Sequence, residues 1–188
     1  MMLSRNRQIH LDIGCGLGHF SIAAAKENAS HTLIGLEINF NSFLICEDSR
    51  RRSNLKNVHF FHTEAYSFIS TNVNSNSISF FHIYFPTPYI GQITDHNPIG
   101  NSISDRLFSP SFLTEVVRTA LPGATLRLVT DHQPYFRHAS HLIEEAGLRV
   151  QAWYPPIRSS KFSMLIGTGC ERRQRRLGLS IQYLQCQL

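Results

Sequence analysis

The sequence predicts an α/β fold, a three-layer sandwich with a mostly parallel sheet of seven strands, and three observations lead to this prediction. Short apolar or β-branched runs alternate with helix-forming segments along the chain, as in proteins whose crossover helices cover both faces of a sheet. A glycine-rich turn joins the first strand to the first helix. The 188 residues include 42% hydrophobic side chains, enough for the core of one domain. We therefore expect a single domain over residues 1–188.

Four strands and three helices are predicted in the first half of the chain. The strands are expected at residues 9–13, 33–38, 58–63 and 78–85. The helices between them are expected at residues 20–26, 39–52 and 66–71. The fourth strand is the richest in aromatic and β-branched residues, so it should be the central strand of the sheet.

The second half continues the alternation. Helices are expected at residues 109–120, where Ser109 and Pro110 mark the first turn, and at residues 134–146, which Gly147 ends. Strands are expected at residues 125–130, after a turn at 121–124, and then at 148–154 and 179–187, with an arginine-rich turn at 172–176. In residues 91–105 the apolar residues follow neither the helical nor the strand period, so we expect a loop there. A loop of that length is generally functional or mobile.

The positive charge of the chain is concentrated near its C-terminus. The net charge is +5. Seven basic residues and one acidic residue follow position 148, so this region carries +6 and the preceding residues about −1. A basic patch of this kind is a candidate nucleic-acid surface. A solvated charged turn explains it equally well, and the sequence leaves both open.

Cysteine and apolar patterns indicate the compartment. The four cysteines lie far apart without a C-x-x-C pair, which suits a reducing compartment and gives no zinc signature. His138 and His141 lie three residues apart, but no third ligand is spaced to join them, so no metal site is expected. Because there is no run of 18 apolar residues and no apolar leader, we expect a soluble cytoplasmic protein without a membrane partner. We expect it to be a monomer or a homodimer.

Residues 12–18 read Asp-Ile-Gly-Cys-Gly-Leu-Gly and resemble motif I of the class I S-adenosylmethionine-dependent methyltransferases, a Rossmann-like fold. The alternate glycines allow positive φ and close approach of a ligand. Glu37 ends the next strand about 20 residues later, where it can accept hydrogen bonds from ribose hydroxyls. Glu64 ends the third strand, either as an acceptor for the adenine amino group or as an exposed strand-end residue. His19 is a candidate contact of the cofactor carboxylate. A NAD site and a purely structural turn are the alternatives.

The order of landmarks resembles the tRNA (guanine-N7-)-methyltransferase family across nearly the whole chain. The matching segments are residues 12–18, 34–37, 85–89, 105–107, 112–113, 128–131 and 160–162. The resemblance implies S-adenosylmethionine as cofactor, and the residues assigned to it are Asp12, Gly14, Gly16, Gly18, Glu37, Glu64 and Phe85. The residues assigned to the acceptor are Thr130, Arg106 and Phe162.

The chain departs from the family pattern on the acceptor side. Thr87 and Tyr89 stand where the family has Asp and Trp, and the basic stretch that normally follows is nearly uncharged here. A ring nitrogen has no proton to lose, so methyl transfer to it needs alignment more than a general base. A threonine hydroxyl makes one neutral bond where a carboxylate holds two donors of guanine, which weakens guanine recognition. Tyr89 either stacks on a planar acceptor or only anchors the loop.

We therefore expect an S-adenosylmethionine-dependent N-methyltransferase in which Thr87, Tyr89 and Asp131 act at the reacting centre. The missing carboxylate and the uncharged loop slightly favour a purine-like heteroaromatic small molecule as acceptor. A tRNA (guanine-N7-)-methyltransferase that uses the C-terminal arginines is the first alternative. A non-catalytic RNA-binding or partner subunit is the second.

Overall fold

One seven-stranded sheet organises the computed structural model, which describes residues 7–87, 107–153 and 168–188. The strand order is β3-β2-β1-β4-β5-β7-β6. The strands are β1 Ile9–Ile13, β2 Thr32–Glu37, β3 Val58–His62, β4 Ile78–Tyr84, β5 Ala120–Thr130, β6 Gln151–Ala152 and β7 Gln182–Gln187. The helices are α1 His19–Glu27, α2 Phe40–Ser53, α3 Ala65–Asn72, α4 Pro110–Thr119, α5 Gln133–Glu145 and α6 Gly169–Arg176.

The first five strands are parallel, and β7 runs against both of its neighbours, β5 and β6. This arrangement confirms the mostly parallel seven-stranded sheet, with β4 in the middle of the order. Parallel strands bring their carboxyl ends to one edge, where ligands bind in open α/β sheets. No helix among the described residues is long and apolar enough to cross a membrane.

Helices cover both faces of the sheet, which confirms the three layers. On one face, Phe81 and Ile83 of β4 pack with Phe112 of α4 and buried residues of α3 and α5. On the other face, Tyr84 packs with Phe20 of α1 and with buried residues of β2, β3 and α2. Successive residues of β4 serve opposite layers because side chains alternate along a strand.

Two predicted strands are shorter in the structure because their first residues close the preceding helices. The predicted strand 148–154 is reduced to Gln151–Ala152, since the backbone N–H of Leu148 donates to the carbonyl of Ile143 at the end of α5. The predicted strand 179–187 begins only at Gln182, since the N–H of Leu179 donates to the carbonyl of Gln174 in α6. Backbone bonds of this kind commonly end helices.

Two further elements differ from the prediction. The expected turn at residues 121–124 lies within β5 as an irregularity, because the pairing passes from Ile78 with Ala120 to Phe80 with Thr125. The expected arginine-rich turn at residues 172–176 is part of α6, an eight-residue helix. This second correction matters most, since α6 lies at the carboxyl edge of the sheet and borders the site described next.

Candidate active site

The glycine turn between β1 and α1 forms the floor of a cavity. Gly14, Gly16 and Gly18 all have positive φ, at 71°, 57° and 72°. A Cβ at Gly14 or Gly16 would meet no other atom within 4 Å, whereas one at Gly18 would lie 2.7 Å from the Phe60 ring. The first two glycines therefore leave open space above the turn, and the third allows close packing with β3.

Glu37 ties this turn to the end of β2. Its two carboxylate oxygens accept hydrogen bonds from the backbone N–H groups of Gly16, at 2.8 Å, and Asn39, at 2.7 Å. The residue is only 8% exposed. A carboxylate oxygen has a second acceptor position, so the side chain can also receive ribose hydroxyls, as the sequence predicts.

Asp12 lies beneath the turn, buried, and its carboxylate accepts a hydrogen bond of 2.6 Å from the Ser21 hydroxyl. Burial raises the pKa of Asp12 to about 7, because the charged form loses its hydration; the Ser21 hydrogen bond opposes this shift and the nearby Glu37 carboxylate adds to it. The residue therefore titrates near neutral pH at the cavity wall.

Glu64 begins α3 as its N-cap. Its carboxylate oxygens accept from the backbone N–H groups of Tyr66 and Ser67, at 2.8 and 2.7 Å. This satisfies two of the four N–H groups that a helix start leaves unpaired. The residue also lines the cavity, so the predicted contact with adenine stays a prediction that its position allows.

The segment after β4 forms another wall. Phe85 has φ 52°, which is uncommon for a bulky residue, and its N–H donates to the carbonyl of Val129 at 2.7 Å. Phe85, Pro86 and Thr87 line the cavity, and Thr87 is exposed. Predicted cofactor-binding and catalytic residues thus meet here. Tyr89, Arg106 and Phe162 lie outside the described residues.

Thr130 and Asp131 lie outside the lining of this cavity. Thr130 is fully buried, and its hydroxyl accepts a hydrogen bond of 3.1 Å from the N–H of His132. Asp131 is exposed and accepts a hydrogen bond from the Gln174 side chain of α6. Of Thr130 and Asp131, only Asp131 has an exposed side chain that could reach an acceptor.

Sequence reasoning missed α6 as part of the site. Thr168, Gly169, Cys170 and Arg173 line the cavity. The Thr168 hydroxyl accepts from the N–H of Glu171 at 3.0 Å, half of a capping box. The sequence Thr-x-x-Glu at residues 168–171 was the available signal for this helix start.

His19 is the first residue of α1 and lines the cavity beside the glycine turn. Burial lowers the pKa of its imidazole, and the positive charge of Arg172 lowers it further. The ring is therefore largely uncharged at neutral pH. A Cβ at Gly169 would lie 3.8 Å from its Nδ1 atom, so the first turns of α1 and α6 are neighbours.

The complete cavity fits S-adenosylmethionine. Its volume is about 660 Å³, within the range of about 300–1,000 Å³ usual for small-molecule sites. The open space above Gly14 and Gly16 provides a cradle, and Glu37 stands at the end of β2 to receive a ribose. The acidic residues Asp12, Glu37 and Glu64 lie toward β1, β2 and β3, while α6 borders the opposite side.

Comparison with known proteins agrees with this arrangement. A family model described as putative methyltransferase matches residues 6–178. A tRNA (guanine-N(7)-)-methyltransferase of Rubrobacter xylanophilus is 27% identical over 141 residues, 75% of this chain and 59% of that protein. The tRNA (guanine-N(7)-)-methyltransferase of Thermus thermophilus is 28% identical over 156 residues, which are 82% of this chain and 48% of that protein. The chain thus spans about half the length of these two relatives. A tRNA (guanine-N(7)-)-methyltransferase of Clostridium botulinum is 23% identical, and the match covers 98% of this chain and 84% of that protein.

Solved structures share the fold. A S-adenosylmethionine-dependent methyltransferase from Aquifex aeolicus matches with a TM-score of 0.62 at 16% identity, covering 96% of this chain and 81% of that one. The 16S rRNA methyltransferase KamB matches with a TM-score of 0.65 at 14% identity, covering 96% and 87%. Both confirm the predicted fold class.

The relatives also bear on the acceptor. Their names confirm the resemblance to tRNA (guanine-N7-)-methyltransferases that the motifs indicated. They do not support the purine-like small molecule that the sequence favoured, and the tRNA alternative fits them better. The threonine at position 87 therefore does not by itself indicate a small-molecule acceptor.

Proposed function

We propose a function for this chain from one premise: it belongs to the family described as putative methyltransferase, whose model matches residues 6–178. We infer that it is an S-adenosylmethionine-dependent methyltransferase and that its acceptor is N7 of a guanine in tRNA. The observation that carries the proposal is the cavity at the carboxyl edge of the sheet, where the open glycine turn and Glu37 meet.

The cofactor half of the proposal rests on residues already held in place. When bound, S-adenosylmethionine supplies a methyl group made electrophilic by its sulfonium charge. Gly14 and Gly16 leave room for it, Glu37 would receive the ribose hydroxyls, and Asp12 would offset the positive charge.

The acceptor half rests on the relatives and on the chemistry of guanine. N7 carries a lone pair and no proton, so the protein must align it with the methyl group but need not deprotonate it. Thr87 stands exposed at the wall formed by the segment after β4, where its hydroxyl can hold a planar base. Asp131, held by Gln174, would accept from the amino and imino groups of guanine.

Incubation of the purified protein with unmodified tRNA and labelled S-adenosylmethionine tests this proposal. We expect label in tRNA, located at N7 of guanine by chain cleavage after borohydride and aniline treatment. Glu37→Gln is the matched variant and should reduce the label at limiting cofactor concentration, because one of the two oxygens that accept backbone N–H groups becomes an N–H₂ group. Label that enters small purines but not tRNA would contradict the proposed acceptor. No label in any acceptor, with S-adenosylmethionine bound, would favour the non-catalytic alternative.

A further inference from the structure

The carboxylate in the methionine part of the cofactor needs a partner that the glycine turn, Glu37 and Glu64 do not supply. The methionine part ends in this carboxylate, and the cavity is lined by three acidic side chains, Asp12, Glu37 and Glu64. A carboxylate placed near other carboxylates is disfavoured, and a buried one needs charged or hydrogen-bonding partners. The cavity must therefore supply a cation or hydrogen-bond donors at some distance from these three acids, and a cation is the stronger partner.

Arg173 meets this requirement. Among the described residues, it is the only arginine or lysine that lines the cavity. Its backbone carbonyl accepts from the N–H of Leu177, but its side chain forms no hydrogen bond or ion pair with another described residue. Arg175 on the same helix, by contrast, is paired with Glu171 at 3.0 Å. Within the described residues, the guanidinium donors of Arg173 are available to a ligand.

The position of Arg173 agrees with the direction of the cofactor. Glu37 and Glu64 end β2 and β3, so the nucleoside part belongs on that side of the glycine turn. Residues of α6 line the cavity with Phe85 and Thr87, which follow β4 on the opposite side of β1. The amino-acid part of the cofactor then extends toward α6.

We propose that Arg173 binds the carboxylate of the methionine part of S-adenosylmethionine, so that α6 closes this end of the cofactor site. The inference rests on the proposed function, because it assumes this cofactor. A guanidinium matches a carboxylate with two parallel hydrogen bonds, and such charge-assisted pairs are among the stronger polar contacts. Arg173 would thereby distinguish the complete cofactor from nucleosides that lack the amino-acid group.

His19 is the competing candidate on the same wall. Its imidazole is largely uncharged at neutral pH, because burial and Arg172 both lower its pKa. A neutral ring can donate one hydrogen bond to a carboxylate but adds no charge. His19 is therefore the weaker candidate for the ionic contact, and Arg173, which is charged at all relevant pH values, is the stronger one.

Calorimetry with two ligands that differ only in the carboxylate tests this inference. The ligands are S-adenosylmethionine and decarboxylated S-adenosylmethionine, titrated into the wild-type protein and the Arg173→Gln variant. We expect Arg173→Gln to weaken binding of the complete cofactor about tenfold. Binding of the decarboxylated ligand should stay within about twofold of wild type, since it lacks the group that Arg173 contacts.

The control is Arg176→Gln, which removes an exposed arginine of the same helix that does not line the cavity. It should leave both affinities unchanged, which separates a direct contact from a general loss of positive charge. Arg173→Lys, which keeps the charge but not the paired hydrogen bonds, should lie between wild type and Arg173→Gln.

Several outcomes would overturn the inference. Equal weakening of both ligands by Arg173→Gln would mean that the residue supports the fold of the cavity. Unchanged affinity for both, together with a raised KM for tRNA, would assign Arg173 to the nucleic acid. If the wild-type protein binds neither ligand, the proposed function itself fails, and the result is distinct from failure at Arg173.

Discussion

The two halves of the site are held together in different ways. In the cofactor half, formed by the ends of β1, β2 and β3, the carboxylates of Glu37 and Glu64 each accept two backbone N–H groups. In the proposed acceptor half, at the ends of β4 and β5 beside α6, Asp131 is held by a single side chain, Gln174. Backbone donors are fixed by secondary structure, whereas a side-chain donor must itself be ordered.

This difference indicates a division of labour. In the proposed cofactor half, Glu37 and Glu64 are already held by backbone groups, so binding there should cost little side-chain ordering. The acceptor half depends on contacts between α6 and the sheet, which substitutions can adjust without loss of cofactor binding. Substitutions confined to one half can therefore test whether cofactor binding and methyl transfer depend on different residues.

The largest effect should come from the glycine turn. We expect Gly18→Ala to lower the free energy of unfolding by about 2–4 kcal/mol, because it combines left-handed strain with overlap against Phe60 and Cys46. Gly14→Ala meets open space and should cost only the strain, about 1–2 kcal/mol. Urea denaturation measures both. Equal losses would show that packing behind the turn does not organise the cofactor half.

The next effect concerns cofactor affinity. Glu37→Gln should weaken binding of S-adenosylhomocysteine about 10- to 100-fold, since charged hydrogen bonds contribute about 1.5–3 kcal/mol. Asp131→Asn should leave this affinity within about twofold while it lowers methyl transfer. Titration calorimetry and a tRNA methylation assay provide the two readouts. A matching loss of cofactor affinity in Asp131→Asn would contradict the separation of the halves.

A pH effect should follow from Asp12. Its pKa of about 7 in the folded chain lies above the ordinary 3.8. Its contribution to stability is therefore complete below about pH 4 and is lost as the pH rises through 7. Bound S-adenosylmethionine is positively charged and favours the ionised form, so binding near pH 7 should release about half a proton. Calorimetry in two buffers of different ionisation enthalpy measures this release.

Asp12→Asn is the control for this pH effect. It should abolish the proton release and flatten the change in stability between pH 4 and 7 relative to wild type. S-adenosylhomocysteine lacks the sulfonium charge and should release fewer protons from the wild-type protein. Equal release with both ligands would assign the proton to another group.

The smallest effect should come from the acceptor half. Gln174→Ala removes the side chain that holds Asp131, a loss of one hydrogen bond worth about 1 kcal/mol. We expect kcat for tRNA methylation to fall about threefold to fivefold, with unchanged affinity for S-adenosylhomocysteine. Gln174→Glu, which places a second carboxylate beside Asp131, should lower kcat further.

Much of the fold could be predicted because local patterns and long-range pairing agree. The apolar runs before Gly14 and Glu37 correspond to β1 and β2, and both residues lie at the cavity as expected. The helix α6 could not be recognised from periodicity, because it is polar along most of its length. Its start depends on Thr168, and it buries Glu171 beside Arg175. An ion pair that compensates a buried carboxylate arises only in the folded chain.

The C-terminal strand β7 lies inside the sheet, between β5 and β6, and does not follow β6 at the edge. The helix α6, which closes one side of the cavity, leads directly into this strand. During synthesis, the glycine turn and Glu37 leave the ribosome long before residues 168–188. The side of the cavity that α6 lines is therefore completed only after this late part of the described chain has been synthesised.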